Sequence, residues 1–356
     1  MTTIMDCIEE IPERLKKNLD GQNELFDKLS NNLINKKYSK IVIVASGSSN
    51  NAASAVKRFG IDLLGKEIDI IYPNLFINDL PRKMLSKNAL YIFISQTGST
   101  KLVLDALKIV NEMGGDTVSI TEDLYAPIAK EANISIEMGS GKEASVFRTI
   151  GYSSSILTLA QIFMYLAKAE KLVSTEILNN INKDILIAIK NLPRIKEETL
   201  KWFEENEDYL ETKTNYIFSG TKDLWPIAIE ADIKFMEMLP VLSNSFELEE
   251  LIHGPQNMFK EEYLIFLLVK EDIGSEKANH IAEFVQNEVG NASIVVADHK
   301  VNTPHLQITS ESQWFYTLEY ITVFQILAYK LGLKNNRDYT KGVYPNVTKY
   351  VSKSVE

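Results

Sequence analysis

The chain has 356 residues, enough for two domains of ordinary size, and its 45% hydrophobic and 24% charged content are those of a globular protein. A net charge of −10 argues against nucleic acid as a main partner, so an anionic ligand would have to be held by local dipoles and a few cations. The single cysteine, Cys7, excludes an intrachain disulfide and a Cys-based metal cage, and the four histidines (His253, His280, His299, His305) lack HxxxH or HxH spacing, so no metal and no cofactor are expected. Glu9, Glu10 and Glu13 occupy the early positions where a signal peptide would be basic and apolar, and no apolar run approaches the ~18 residues of a membrane span. The expectation is a cytoplasmic protein with neither membrane nor nucleic acid as partner.

Residues 1–36 read as a helical segment, with Ile8, Ile11, Leu15 and Leu19 on one face and Leu25, Leu29 and Leu33 continuing in a second helix. The strand Ile41-Val42-Ile43-Val44 then ends in Ala45-Ser46-Gly47-Ser48-Ser49-Asn50-Asn51, and a helix follows through Ala52, Val56 and Phe59. A short strand spans Ile68 to Tyr72. The next run, Leu90 to Ile94, stops abruptly at Ser95-Gln96-Thr97-Gly98-Ser99-Thr100 before helical spacing begins at Leu102. Strand, tight hydroxyl-rich loop and helix N-terminus together suit a phosphate, because a helix start offers unpaired N–H groups and a positive dipole end. An ordinary βα turn with Ser or Thr as N-cap has the same pattern. Strands at Thr117–Ile120 and Ile134–Ile136 complete an alternation that implies a parallel α/β sheet, whose ligands sit outside the carboxyl ends of the strands.

After Gly139-Ser140-Gly141-Lys142-Glu143-Ala144-Ser145-Val146 a long helix runs through Leu157 and Leu166, and residues 171–200 read as a helical connection. The grammar then restarts. Tyr216-Ile217-Phe218 meets Ser219-Gly220-Thr221 and a helix through Ile227, Ile233 and Met238, a run that looks like a copy of the segment beginning at Ile41. Residues 264–276 likewise match the segment beginning at Leu90, and Ala292–Val296 matches Thr117–Ile120. The second copy carries Lys270, Glu271 and Asp272 where the first has Ser95 to Gly98; two acids repel a phosphate, so the anion site is expected in the first copy only.

On the helix after Thr221, Glu230, Lys234 and Glu237 fall at i, i+4 and i+7 on one face. Such a pattern also describes a solvated surface pair. Sixteen residues on stands His253, followed by Gly254-Pro255, which reads equally as a turn residue. A carboxylate and an imidazole can divide proton transfers between the carbons and oxygens of a sugar.

These features together resemble the sugar isomerase (SIS) family, more narrowly the isomerase half of glucosamine-6-phosphate synthase and the related deglycases of phosphorylated fructosamines. The resemblance rests on Ser46-Gly47-Ser48-Ser49, on Ser95 to Thr100, on the Glu237-to-His253 spacing with His-Gly-Pro, and on Asn346-Val347-Thr348-Lys349. It implies two tandem SIS subdomains, each a mainly parallel five-stranded sheet flanked by helices in a flavodoxin-like three-layer sandwich. The corresponding divisions are 37–170 and 201–340, joined by 171–200, with a tail at 341–356. It also implies that Ser48, Ser95, Gln96, Thr97 and Thr100 hold a sugar phosphate and that Ser49 and Val146 touch the sugar. Lys234 belongs with the substrate-binding set, and Glu237 moves protons at the first two carbons. His253 assists ring opening, often from the neighbouring subunit of a homodimer, and Lys349 can form a Schiff base with an open-chain sugar; Lys353 is a second candidate lysine.

The synthases also carry an N-terminal glutaminase domain, whereas this chain starts almost directly with the isomerase half, so ammonia release from glutamine is not expected of it. Phe147 and Arg148 replace small residues of the synthases, and could shape a pocket for an amine-bearing adduct. The implied function is a deglycase of a fructosamine 6-phosphate. The alternatives are an amino-sugar phosphate isomerase or deaminase and, third, a non-catalytic sugar-phosphate sensor.

Overall fold

The computed structural model describes residues 2–33, 35–271 and 273–355. Asp272, singled out above, lies outside them. The chain divides into two compact units, one made of Glu13–Ala144, Arg148–Lys183 and Tyr344–Glu356, the other of Met1–Pro12, Ser145–Phe147 and Asp184–Val343.

In chain order, α1 (Ile4–Asp20) and α2 (Gln22–Leu33) precede β1 (Lys40–Ala45), α3 (Ser48–Leu64), β2 (Glu67–Ile71) and α4 (Pro73–Asn78). Then come β3 (Ala89–Ile94), α5 (Lys101–Glu112), β4 (Asp116–Thr121), α6 (Pro127–Glu131), β5 (Ile134–Glu137) and α7 (Ile150–Ala169). The five strands form one sheet in the order β2-β1-β3-β4-β5, every pair parallel. Parallel strands covered on both faces need apolar side chains in both directions, and β3 is buried at all six positions. Val42, Val44, Tyr91 and Phe93 point to one face, against Phe76 of α4, Val103, Ala106, Leu107 and Val110 of α5, and Ile128 of α6. Helices α3 and α7 pack together, so closely that a Cβ on Gly60 would overlap Phe163 and Ile68.

Helix α7 bears on the membrane argument. By length and composition it could cross a membrane, yet its whole apolar window is buried in the protein. Ser153, Ser154, Ser155, Thr158 and Gln161 break its apolar run, which hides that character from a search for uninterrupted hydrophobics.

The second unit repeats the plan. Helices α8 (Thr175–Glu205) and α9 (Glu207–Glu211) lead to β6 (Asn215–Gly220), α10 (Leu224–Met238), β7 (Ser243–Glu247), β8 (Tyr263–Leu268), α11 (Ser275–Glu288), β9 (Ser293–Ala297), β10 (His305–Gln307) and α12 (Tyr316–Lys334). Its sheet, β7-β6-β8-β9-β10, is again all parallel and has the same order as the first. Alternate side chains again divide between faces. Ile217, Ile265, Leu267 and Val295 meet Ala278, Ile281, Ala282 and Val285 of α11, while Phe218 and Phe266 stack 5.5 Å apart and meet Phe235 of α10 and Phe324 of α12. Each chain of strands therefore reverses direction of winding once, between β1 and β3 and between β6 and β8, which opens a crevice at the carboxyl ends.

Candidate functional site

At the crevice of the first sheet, β1 delivers Gly47, whose φ of 56° turns the chain sharply into α3. Gly47 is the N-cap and brings no side chain, so Ser48 and Ser49, half-buried in the first turn of α3, present their hydroxyls at an uncapped helix start. Asn50 is buried and its amide is spent on the Ala45 carbonyl at 3.3 Å.

The neighbouring loop is closed by its own hydroxyls. Ser95 Oγ lies 2.8 Å from Thr100 Oγ1, and Thr97 Oγ1 lies 3.0 Å from Ser99 Oγ. Gly98 sits at φ 67°, where a side chain would overlap Ala126 and Thr121, and its carbonyl accepts Ile128 N at 3.0 Å. The turn therefore has no room for a residue larger than glycine. Thr97 is exposed, Ser95 is buried, and Gln96, Ser99 and Thr100 are half-buried. The Gln96 side chain turns away from the hydroxyls, its Nε2 lying 3.2 Å from Glu122 Oε2 and 3.2 Å from Glu143 Oε2.

The chain's tail also reaches this loop. Lys101 N, the first helical amide of α5, donates to Lys353 O at 3.0 Å, Val355 N donates to Ser99 O at 2.9 Å, and Thr100 and Ser354 form an antiparallel bridge. Lys353 thus brings its main chain to the loop, while Lys349 is exposed at the end of a short helical turn, Val347–Lys349.

In the second unit, α10 carries the acid–base candidates. Glu230 and Lys234 are wholly buried, and Glu237 is 39% exposed by its side chain. Lys234 Nζ lies 2.7 Å from Glu237 Oε2 and 3.4 Å from Glu230 Oε1. The solvated surface pair is therefore excluded: an ammonium this deep is kept charged only by carboxylates that repay its desolvation. His253 does not pair with Glu237. It ends the turn Glu250–Ile252, its side chain 60% exposed, and its Nε2 lies 3.1 Å from Glu249 Oε1, whose other oxygen pairs with Lys277.

At the carboxyl end of β8, Lys270 is committed internally: its Nζ lies 2.7 Å from Asp298 Oδ2 and 3.3 Å from Ser310 Oγ, and 5.3 Å from the Tyr316 ring centre. Burial alone would raise the Asp298 carboxyl, but its hydrogen bonds with Lys270, His299 and Glu271 N hold it below the ordinary range. A carboxylate so firmly ionised stands where the first sheet has its hydroxyl loop.

Residues 32–170 match the SIS domain family. A glutamine–fructose-6-phosphate aminotransferase (isomerizing) of Wigglesworthia glossinidia brevipalpis is 26% identical over 92% of this chain and 54% of its own length. The chain spans about half the length of the curated relatives it matches. Among solved structures, a Clostridium difficile 630 protein described as a phosphosugar isomerase superposes with a TM-score of 0.92 at 22% identity, over 100% of this chain and 99% of the other. The glucosamine-6-phosphate deaminase of Thermotoga maritima superposes with a TM-score of 0.71 at 20% identity, over 93% and 98%. These likenesses show the fold, two parallel five-stranded sheets flanked by helices.

Residues 146 and 147 differ in burial. Val146 is half-exposed. Phe147 is buried, its ring edge-on to Tyr339 at 6.1 Å and under the Arg337 guanidinium at 5.6 Å, so its bulk fills its own unit's interior and is not free to shape a pocket. Sequence reasoning missed Glu143, Glu122, Glu249 and the pairing of residues 353–355. Among the described residues no group of three His, Cys, Asp or Glu side chains converges on a metal position.

Proposed function

We propose that the protein acts on a sugar 6-phosphate and moves a proton between its first two carbons, with Glu237 as the base. The observation that carries this reading is the Lys234–Glu237 contact of 2.7 Å, which fixes one oxygen of a partly exposed carboxylate and leaves the other to work. Ser48, Ser95, Thr97 and Thr100 are assigned the phosphate, Ser49 and Val146 the sugar, and Lys349 the open-chain carbonyl. His253, backed by Glu249, is assigned the ring-opening proton transfer, in its own subunit's site or that of a partner in a homodimer.

The first substrate class is a fructosamine 6-phosphate. Glu237 removes a proton from carbon 1, the electrons moving to the carbon 2 carbonyl to give an enolamine. Return of the proton at carbon 2 gives an imine at carbon 1. Water adds there and the C–N bond breaks, releasing aldose 6-phosphate and free amine with no change of oxidation state overall. Positioning and acid–base catalysis supply the rate. The sequence at Val146–Thr149 favours an amine adduct, since Arg148 stands where the synthases are small. A second reading, an amino-sugar phosphate isomerase or deaminase, uses the same carboxylate and is favoured by the superposition on a glucosamine-6-phosphate deaminase. A reducing cytoplasm suits either reaction.

The test is release of amine and aldose 6-phosphate from a panel of 6-phosphorylated fructosamines by the wild type and Glu237→Gln. Release by the wild type and loss in the variant is the expected result. Turnover of glucosamine 6-phosphate with the adducts left intact would replace the first reading by the second. Binding of sugar phosphate without any turnover would make the protein a sensor.

A further inference from the structure

Helix α7 is buried over almost its whole length, so the amides of its first turn have no access to water and need a partner inside the protein. Its N-cap, Thr149, does not supply one from its own side chain. Glu143 does. Its Oε1 accepts Thr149 N at 2.6 Å, Thr149 Oγ1 at 2.8 Å and Ile150 N at 3.1 Å, and its Oε2 accepts Gly151 N at 3.2 Å. Those four bonds account for a buried carboxylate as a helix cap and no more.

The fifth bond is different in kind. Glu143 Oε2 also accepts Gln96 Nε2 at 3.2 Å, and Gln96 belongs to the hydroxyl loop. Glu122 Oε2 takes the same nitrogen at 3.2 Å, so both N–H groups of the carboxamide are engaged. Its oxygen faces Gly151, where an added Cβ would overlap it. The main chain of Gln96 is fixed too, its carbonyl accepting Glu122 N at 2.9 Å and Thr121 Oγ1 at 3.0 Å.

We infer that Glu143 is a positioning residue for the hydroxyl loop: it holds the Gln96 carboxamide against the start of α7 and so presets the backbone of residues 96–100 for a phosphate. Gln96 then serves the phosphate through its backbone amide, since its side chain has no donor left. The four donors and the positive end of α7 face the Glu143 carboxylate and offset its charge, which lets it stand beside an anion site. The inference rests on the phosphate role proposed for the loop.

Gly151→Ala separates latch from cap. The new methyl pushes the carboxamide off Glu143 but leaves the bonds to Thr149 and Ile150, and alanine favours the helix. Two readouts are compared in the full chain: amide hydrogen exchange of peptides covering 96–101 without ligand, and affinity for glucosamine 6-phosphate and fructose 6-phosphate. The expected result is faster exchange at 96–101, affinity weaker by about tenfold, the equilibrium factor of one charge-assisted hydrogen bond, and an unchanged or raised melting temperature. Glu143→Gln should weaken affinity similarly but also lower the melting temperature, because the cap goes too. Unchanged exchange at 96–101 in Gly151→Ala overturns the inference, as does faster exchange with unchanged affinity. A wild type that binds neither sugar phosphate overturns the functional reading instead, and the exchange comparison then decides the latch by itself.

Discussion

Lys234 Nζ lies 2.7 Å from Glu237 Oε2 at a position where the lysine is wholly buried and the glutamate is not. The asymmetry divides their work. Lys234 is held by two carboxylates and has no exposed surface to offer a ligand, so the role we propose for it is to orient Glu237; of the three side chains Glu237 alone reaches solvent. Glu237→Gln should therefore fold normally and lose at least ~100-fold in kcat, the scale of a positioned acid–base group. Lys234→Met should lose activity and also about 3 kcal/mol of stability, because it removes one partner of a buried ion pair. Steady-state kinetics beside urea unfolding of both variants checks the contrast. Equal stability losses would remove the distinction between working and orienting residue.

His253 is bonded to Glu249 and largely exposed, so its replacement should spare the fold. If it serves the site of a neighbouring subunit, mixing inactive His253→Ala with inactive Glu237→Gln and allowing subunits to exchange restores one intact site per mixed dimer. Activity should recover to about a quarter of wild type for equal amounts, given random pairing in a twofold dimer. No recovery despite exchange, followed with differently tagged subunits, would assign His253 to its own chain's site.

The tail pairs with the hydroxyl loop through backbone hydrogen bonds: Lys353 O caps Lys101 N, and Val355 N holds Ser99 O. Truncation after Ser352 removes both bonds and the Ser354 bridge while leaving Lys349 in place. The expected outcome is a KM for sugar 6-phosphate raised about tenfold, on the scale of one to two exposed hydrogen bonds, with kcat changed less. A drop in kcat with KM unchanged would mean that the tail acts on the chemistry and not on the loop.

How much of this was legible depended on where the information lies. The buried strands β1, β3, β6 and β8 declare themselves as apolar runs, and the repeated strand–loop–helix grammar gave the tandem plan with its strand ends within a residue or two. Strand β7, Ser-Asn-Ser-Phe-Glu, did not, because an edge strand covered by one neighbour carries no apolar run, and β10 is only three residues long. Helix α12 is buried nearly all round, which erases the one-sided periodicity by which helices are found. The i, i+4, i+7 spacing of Glu230, Lys234 and Glu237 was visible, but its burial was not, and burial is what separates a solvated pair from an oriented one. Glu143 and the pairing of residues 353–355 left no local signature at all: one caps a helix that starts seven residues later, and the other joins segments some 250 residues apart in the chain.

The last prediction concerns pH and the carboxyl of Glu319 on α12. Burial raises its pKa above the ordinary value, only partly offset by hydrogen bonds from Ser310 Oγ at 2.6 Å, Asn191 Nδ2 at 2.7 Å and Glu311 N and by the nearby Lys270 charge. Ionising it thus costs more in the folded chain than in the unfolded one. Folding favours the protonated acid, so this contribution to stability is intact below the unfolded carboxyl value of about 4.3 and is lost as pH rises through the raised folded value. Glu319→Gln carries no charge to lose, and its carboxamide can still accept from Asn191 and meet Ser310. The variant should therefore melt higher than wild type at pH 8, and the gain should shrink as pH is lowered towards 4. Thermal scans of both proteins across that range check it. A gain that stays constant with pH would place its origin in packing, and a loss at pH 8 would mean that the ionised carboxylate is worth more to this hydrogen-bonded cluster than its burial costs.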